Sequence, residues 1–300
     1  MTENTDKRKY CPEKYSPWTE EEYKILRENS GKLSYKQISS LLPGRSEQAV
    51  MHKHQRLGLK TEFRPKKYSA NDNFWSDINL VSCYYAGWMN TDGSVTQARN
   101  LVRLQLQPED IEILKILKSK AKFTGNIRWD RGYPSIVISC SRKWLDDLEK
   151  IWNITDNKKF RISRPNFDLT RDQKLALIAG SIDGDGWIFV KYANSKPEKV
   201  NGYGDINLGF ISSSKSYVDY LIELLAELDI HKTVKPWFKK ASNAWEFKIY
   251  GYAAKNLIDQ VRALDIPYLK RKWNCIDFFE NWGKDHILQG PKTRKLQISV

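Results

Sequence analysis

The ten residues YAGWMNTDGS (85–94) return 93 residues later as IAGSIDGDGW (178–187). In both copies an apolar, helix-like run ends on an aspartate that is followed by glycine, Asp92 in the first copy and Asp185 in the second. Each copy continues into an alternating segment, an amphipathic helix, two strand-like pieces and a last helix. The chain therefore contains an internal duplication.

The hydrophobic pattern predicts where these elements lie. We expect strands over 101–107 and 206–212, amphipathic helices over 110–122 and 216–228, and last helices over 141–152 and 252–264. In the first strand Val102, Leu104 and Leu106 alternate with polar residues, so one sheet face is apolar and the other is polar. Two such sheets, with helices on one face only, would form a saddle suited to a long duplex.

Small residues on the two motif helices predict a close helix crossing. Gly87 and Thr91 lie four residues apart in one copy, as do Gly180 and Gly184 in the other, so each pair shares a helix face. If the helices cross there, their C-terminal ends meet and the following aspartates approach each other. Two neighbouring carboxylates require a neutralising partner, and Mg²⁺, which prefers oxygen ligands, is a suitable one. This arrangement points to metal-assisted phosphodiester hydrolysis.

Other kinds of site fit the sequence less well. A Ca²⁺ loop around Asp183 would need an oxygen ligand where Trp187 stands. A structural turn alone would not explain the duplication of the flanking elements. His52 and His54 have no metal-ligand spacing, and we interpret them as surface or core residues. The four cysteines are scattered without a C-x-x-C pair, which argues against disulfides and a cysteine-based zinc site: Cys11, Cys83, Cys140 and Cys275.

The charge balance indicates the class of partner. The chain has 50 Lys and Arg against 36 Asp and Glu, a net charge of +14, of which +6 falls on residues 1–70 and +8 on the remainder. A basic chain favours polyanions, above all nucleic acid. The sequence contains no apolar run of about 18 residues and no secretory signal pattern. We therefore expect a non-secreted, intracellular protein without membrane contact, in the cytoplasm, the nucleoid or a host organelle.

The N-terminal region predicts three short helices. Either Ser16 with Pro17, or Thr19 with Glu22, would begin the first helix, and Ser46 would cap the third. The residues WTEEE (18–22), QISSLL (37–42), GRSEQAV (44–50) and LGL (57–59) resemble a Myb/SANT-like helix-turn-helix module. Such modules bind DNA or, in some proteins, other proteins. The candidate DNA contacts of this module are Arg45, Ser46, Gln48, Lys53 and Arg56.

The motif pair resembles the LAGLIDADG homing endonucleases in their single-chain form, over about 210 residues. That resemblance implies an α+β fold in which two αββαββα halves are related by a pseudo-twofold axis. It also implies that Asp92 and Asp185 bind Mg²⁺, for which Mn²⁺ would substitute, with the backbone carbonyls of Thr91 and Gly184 as further ligands.

Other catalytic residues are carried over from the same resemblance. A glutamine that orders water matches Gln107, and its counterpart in the second copy falls on Ser214. A lysine before the last helix matches Lys270, and in the first copy it falls on Lys158 or Lys159. The first copy departs from the family pattern at Trp88 and Asn90, whereas both metal-binding aspartates are intact. The candidate DNA contacts of the saddle are Arg103, Gln105, Arg128, Arg131, Lys191, Lys235 and Lys239.

These observations predict six segments. They are a tail (1–14), the helix-turn-helix domain (15–60), a basic linker (61–76), the two halves (77–166 and 167–285) and a C-terminal tail (286–300). The resemblance implies a monomer that makes staggered cuts with 3′ overhangs in a long, pseudo-asymmetric double-stranded DNA site. It also implies a gene in an intron, an intein or another mobile element. The alternative is a DNA-binding regulator or an intron RNA maturase that keeps the fold without cleavage.

Overall fold

The computed structural model describes residues 17–59, 67–156, 164–190 and 206–277. The chain divides into two compact units, residues 1–66 and 67–300. The tails assigned to residues 1–14 and 286–300 lie outside the described residues. No helix in the described ranges is long and apolar enough to cross a membrane.

The first unit contains three helices: α1 (Glu20–Asn29), α2 (Tyr35–Ser40) and α3 (Glu47–Arg56). Thr19 caps α1 in a reciprocal capping box with Glu22, which settles the choice between the two predicted starts in favour of Thr19. Ser46 caps α3, as predicted. The core of this unit consists of the buried side chains Leu26, Ile38, Leu42 and Val50, one from each helix and one, Leu42, from the α2–α3 turn.

The second unit repeats one element order twice. The first copy comprises α4 (Leu80–Asn90), β1 (Gly93–Thr96), β2 (Leu101–Gln105), α5 (Ile111–Lys120), β3 (Arg128–Asp130), β4 (Tyr133–Ile138) and α6 (Arg142–Lys150). Its strands form an antiparallel sheet in the order β1-β2-β4-β3. The helices α5 and α6 are shorter at both ends than the sequence pattern predicts.

The second copy has the same order with longer helices. It comprises α7 (Arg171–Asp185), β5 (Gly186–Val190), β6 (Ile206–Ser212), α8 (Lys215–Glu227), β7 (Trp237–Lys239), β8 (Ala244–Tyr250) and α9 (Gly251–Arg262), followed by the short helix α10 (Lys270–Trp273). Its sheet order, β5-β6-β8-β7, matches that of the first copy. The second unit is therefore an α+β structure with two antiparallel four-stranded sheets.

One continuous core holds the two copies together. The helices α4 and α7 are buried on all sides over 82–89 and 175–183, because they lie between the two copies rather than at the surface. Val102, Leu104, Ile136 and Ile138 cover the inner face of the first sheet. The opposite face of each sheet is left open.

The predicted linker requires a correction. Residues 67–76 belong to the second unit, where Phe74 and Trp75 are buried in the core. Trp144 in α6 and Trp152 just after its end donate indole N–H groups to the backbone carbonyls of Asn71 and Trp75, at 2.8 Å each. The polar, proline-containing sequence predicted a linker, but the apolar area of two adjacent aromatic rings is enough to fix this segment.

Candidate active site and nucleic-acid surfaces

The crossing of α4 and α7 brings the two backbones into direct contact. A Cβ atom placed on Gly180 would lie 1.8 Å from the carbonyl oxygen of Tyr84, and one placed on Gly87 would lie 2.5 Å from the carbonyl oxygen of Leu177. Farther along, a Cβ atom on Gly184 would lie 1.9 Å from Oγ1 of Thr91. All four predicted interface positions therefore lie at the crossing, and the helices meet at their C-terminal ends.

Two aspartates directly follow the residues that are in contact at this crossing. Asp92 follows Thr91 directly, and Asp185 follows Gly184, so each acid stands next to one of the two touching residues. Both aspartates are exposed, at the point where the motif helix ends and the first strand of its sheet begins. A concave depression of about 470 Å³ is lined by Asp92, Gly184 and Gln107, together with Trp88, Gln105, Leu106, Asp110, Tyr133, Asp183 and Arg271.

The donor set at this point fits a divalent cation that shares its ligands with a substrate. Asp92 and Asp185 offer hard carboxylate oxygens, the type that Mg²⁺ prefers. Within the described ranges no cluster of three or more His, Cys, Asp or Glu side chains could enclose a metal ion.

Lys272 lies directly beneath the site. Its Nζ donates to the backbone carbonyls of Ile182, Asp183 and Gly186 at 2.7–2.8 Å and is 3.5 Å from that of Gly184. Ile182 and Asp183 lie in the last turn of α7, where the carbonyl of Ile182 also accepts from the backbone N–H of Gly186, and Gly186 begins β5. Burial lowers the pKa of Lys272, while the negative charges of Asp183 and Asp92 act in the opposite direction. Lys272 is thus a cation fixed beside the two motif ends.

Asp183 is a buried carboxylate that joins the two copies. It accepts hydrogen bonds from the hydroxyl of Tyr84 (2.8 Å), the backbone N–H of Leu269 (2.9 Å) and the indole N–H of Trp273 (2.7 Å). Burial raises its pKa to about 6, against the effect of these three donors and of Lys272. The counterpart in the first copy is Asn90, which is neutral. Asp183 therefore anchors α10, and with it Lys272, to both motif helices.

A second polar link between the copies borders the depression. Arg271 binds Asp110 through two parallel hydrogen bonds, Nε to Oδ1 at 2.9 Å and Nη2 to Oδ2 at 2.6 Å. The Asp110 side chain is 5% exposed and that of Arg271 is 44% exposed, so the guanidinium reaches the surface while its partner is buried. The bidentate geometry fixes the plane of the guanidinium at the rim of the site.

The other predicted catalytic residues differ in whether they line the depression. Gln107 is exposed and lines the depression. Ser214 is buried and caps α8 by accepting from the backbone N–H of Tyr217, so it is occupied as a helix cap. Lys270 is exposed and does not line the depression, whereas its neighbour Arg271 does, and Lys272 bonds the backbone carbonyls of Ile182 and Asp183. Lys158 and Lys159 lie outside the described residues.

The candidate contacts on the first sheet form a connected polar surface. Arg103 and Gln105 lie on its open face, and Arg103 Nη2 donates to Oε1 of Gln105 (2.8 Å) and to Oδ2 of Asp130 (3.0 Å). Arg128 and Arg131 are exposed at the β3–β4 turn. At the second sheet, Lys235 is exposed just before β7 and Lys239 is exposed at its end. Lys191 lies outside the described residues.

In the first unit, the candidate contacts divide into two groups. Arg45 donates to both carboxylate oxygens of Glu22, at 2.7 and 2.8 Å, and its guanidinium lies 4.8 Å from the ring centre of Trp18. Lys53 Nζ lies 4.5 Å from the ring centre of Tyr23. These two cations are used inside the unit, whereas Ser46, Gln48 and Arg56 are exposed along α3.

Sequence reasoning missed several residues of the site. Lys272 is two positions from Lys270 in the run KRK (270–272), and the sequence does not show which of these side chains turns inward. Asp110 and Arg271 are 161 residues apart, so no local pattern pairs them. Asp183 had a signal, because an acidic residue that directly follows a long apolar run in a buried helix requires buried partners.

Known proteins resemble this chain in fold rather than in sequence. No protein-family model and no curated protein matches the chain. Solved structures with a similar fold include the I-LtrWI LAGLIDADG homing endonuclease bound to target DNA, which is 16% identical, with a TM-score of 0.43 over 73% of this chain and 92% of that one. I-SmaMI bound to an uncleaved DNA target in the presence of calcium ions is 13% identical, with a TM-score of 0.44 over 70% and 94%. I-DmoI in complex with DNA and Mn is 10% identical, with a TM-score of 0.42 over 63% and 99%.

Proposed function

We propose that this chain is a site-specific, double-strand DNA endonuclease of the LAGLIDADG type. The observation that supports the proposal is the backbone-to-backbone crossing of α4 and α7, at which Thr91 contacts Gly184 and each of these two residues is followed by an exposed aspartate, Asp92 or Asp185. The open faces of the two sheets, in a chain of net charge +14, would provide a surface for a long duplex. We infer a monomer acting on a long, pseudo-asymmetric site with staggered cuts and 3′ overhangs.

Asp92 and Asp185 would hold a divalent cation, Mg²⁺ or Mn²⁺, with the carbonyls of Thr91 and Gly184 nearby. A cation bound there supplies Lewis-acid stabilisation of the scissile phosphate and a more acidic water. Gln107 orients the attacking water by hydrogen bonding from the rim. Lys272 and Arg271 supply fixed positive charge where the phosphate gains negative charge in the transition state. Asp110 and Asp183 hold these two cations in place.

The two halves of the site differ chemically. Gln107 lines the depression, whereas its counterpart Ser214 is used as the cap of α8. We expect the strand served by the first copy to be cut faster than the other, because only that half has an amide to order the water. A nicked intermediate should therefore accumulate early in the reaction and be cut on one particular strand.

Selection from a randomised DNA library tests the proposal. The full chain is incubated with the library in Mg²⁺, cleaved ends are captured and sequenced, and a parallel reaction in EDTA serves as the control. We expect one long recurring site, cut on both strands with a short 3′ overhang, only where Mg²⁺ is present. Recovery of the same ends in EDTA, or of ends without a common sequence, would contradict the proposal.

The first unit is proposed to be a Myb-like helix-turn-helix module that adds affinity and site length. The exposed face of α3, with Gln48 and Arg56, is its candidate DNA surface. Deleting residues 1–66 removes this unit and leaves 67–76, which belong to the second unit. Binding should weaken and its dependence on salt should flatten, because fewer phosphates are neutralised. An unchanged salt slope would mean that this unit does not bind DNA.

A further inference from the structure

Three polar side chains on the open face of the first sheet form one hydrogen-bonded group. Arg103 and Gln105 lie two residues apart in β2, and Asp130 is the last residue of β3. Nη2 of Arg103 donates to Oε1 of Gln105 at 2.8 Å and to Oδ2 of Asp130 at 3.0 Å, so the guanidinium lies between two acceptors. We call these three residues the Arg103 group.

The bond to Arg103 determines which end of the Gln105 amide can bind a ligand. A guanidinium has only N–H donors, so the amide must turn its oxygen toward Arg103. The NH₂ group of Gln105 is left for another partner, and none of the residues that the structure describes accepts from it. An unpaired glutamine offers a donor and an acceptor side by side, whereas Gln105 offers a ligand donors only.

Arg103 offers further donors at the centre of the group. Nη2 is occupied by its two acceptors, and Nε is buried without a hydrogen-bond partner in the described part of the chain. Nη1, which carries two N–H groups, remains for a ligand. Asp130 is 57% exposed, and its Oδ1 takes no part in the bond to Arg103. Across the group, Gln105 thus offers a donor, Arg103 a donor and Asp130 an acceptor.

This order of donors and acceptors matches one base pair. In the major groove, where strands can read base edges, a G·C pair presents two acceptors, N7 and O6 of guanine, and then the N4 amino donor of cytosine. An A·T pair presents an acceptor, a donor and an acceptor. Its adenine amino group would face the donors of Arg103, and its thymine O4 would face the carboxylate of Asp130. Two of the three contacts therefore discriminate between the pairs.

The second sheet has no equivalent group. When the strands of the two copies are aligned by their pairing register, Arg103 corresponds to Gly209 and Gln105 to Ile211. Lys239 takes the place of Asp130. Because neither a glycine nor an isoleucine side chain can form a hydrogen bond with a base edge, this mode of recognition is confined to one half of the target.

We propose that Arg103 and Gln105 recognise a G·C base pair in the half of the target that the first copy binds. Gln105 would donate to N7 of guanine and Arg103 to O6, while Asp130 positions Arg103 and accepts from N4 of cytosine. Gln105 also lines the depression beside Asp92, so this base pair would lie near the cleaved bonds. The inference rests on the proposed function, and it specifies one position of the DNA target.

Selection of bound duplexes in EDTA tests this inference on the full chain, because binding is then measured without cleavage. The wild type and each variant are incubated with a randomised duplex library, and the bound duplexes are separated and sequenced. In the wild type we expect one G·C pair that is preferred over A·T about 5- to 150-fold, which corresponds to about 1–3 kcal/mol.

Gln105→Glu reverses the hydrogen bonding at one end of the group. The carboxylate still accepts from Arg103, but an oxygen acceptor replaces the NH₂ donor that would face N7 of guanine. We expect the preference for guanine at that one position to fall at least fivefold, while the other positions keep theirs. Asn126→Asp, which adds the same charge in the loop before β3, should leave this preference unchanged.

Arg103→Met supplies an independent result. Without the guanidinium, Gln105 can offer both a donor and an acceptor, the pair that binds N7 and N6 of adenine. The preference at the same position should therefore shift from guanine toward adenine, which a merely structural role of Arg103 would not produce.

The outcomes separate this inference from the proposed nuclease function. If either variant keeps the wild-type preference at every position, or if the position that changes is not a G·C pair in the wild type, the inference is overturned. Cleavage in Mg²⁺ is measured apart from this selection, so the nuclease function would stand in that case. A wild type that selects no recurring sequence would overturn both the inference and the site specificity.

Discussion

Replacement of Lys272 by methionine should destabilise the second unit strongly. The lysine gives three hydrogen bonds of 2.7–2.8 Å to carbonyls at the end of α7. Methionine keeps the apolar stem but removes the charged donor from these carbonyls, of which that of Ile182 keeps the backbone N–H of Gly186, and it removes a positive charge that acts on the buried Asp183. A single hydrogen bond from a charged donor contributes about 1.5–3 kcal/mol to stability, and several such bonds are not additive. We therefore expect the substitution to lower the free energy of unfolding by about as much as breaking a buried ion pair does, about 3–5 kcal/mol.

Thermal unfolding measures this loss. For a unit of this size, about 1 kcal/mol corresponds to about 2–4 °C, so Lys272→Met should lower the melting temperature by about 6–20 °C. Lys270→Met is the matched control, because Lys270 lies in the same short helix and is exposed. A surface substitution changes stability by about 0.5 kcal/mol, so the melting temperature of Lys270→Met should change by no more than about 1–2 °C. A Lys272→Met protein that melts within 2 °C of the wild type would refute this reasoning.

The same pair of variants also tests which lysine acts in catalysis. Cleavage measured well below both melting temperatures should fall at least tenfold in Lys272→Met, since a fixed cation is lost beside the scissile phosphate. The sequence resemblance instead assigns this role to Lys270. A larger fall in Lys270→Met than in Lys272→Met would favour the sequence assignment over the geometry.

Three further predictions follow from the packing and charges. Gly180→Ala forces a methyl group against a backbone carbonyl and should cost about 2 kcal/mol net of its better helix propensity, as measured by denaturant unfolding; an unchanged midpoint would contradict the close crossing. In a double-mutant cycle, Asp110→Asn and Arg271→Met should show a coupling of about 0.5–3 kcal/mol, whereas purely additive effects would mean that the bidentate pair is not formed. Burial lowers the pKa of His54 below its ordinary 6.5, so the first unit should lose stability as the pH falls from 6.5 through the lowered value, and then level off. Hydrogen exchange of α3, corrected for the intrinsic rate, should show this loss in the wild type and in His52→Gln but not in His54→Gln.

The duplicated motif made much of the fold predictable. Its small residues recur at helical spacing, so the crossing of α4 and α7 followed from Gly87, Thr91, Gly180 and Gly184 alone. The alternation over 101–107 predicted the strand, which the structure gives as Leu101–Gln105, and its buried face, because a period of two is a local property of the chain. The helix caps at Thr19 and Ser46 were equally local.

The remainder depended on packing that no local pattern encodes. In the run KRK (270–272), the inward direction of Lys272 is set by Asp183, which fixes the start of α10 through the backbone of Leu269. The segment 67–76 has a linker's composition, yet hydrogen bonds from Trp144 and Trp152 hold it in place. Likewise, Arg45 is typical of a DNA contact in sequence, but Glu22 and Trp18 use its guanidinium within the first unit.

Strand-resolved cleavage by variants of the two motif aspartates tests the central claim most directly. The measurement compares Asp92→Asn and Asp185→Asn with Asp172→Asn, which changes an exposed acid at the opposite end of α7, on a plasmid carrying the selected site in Mg²⁺. We predict that both motif variants bind the site but do not linearise the plasmid, while Asp172→Asn cleaves at the wild-type rate. Linearisation at the wild-type rate by both motif variants would show that the two carboxylates are not the catalytic centre.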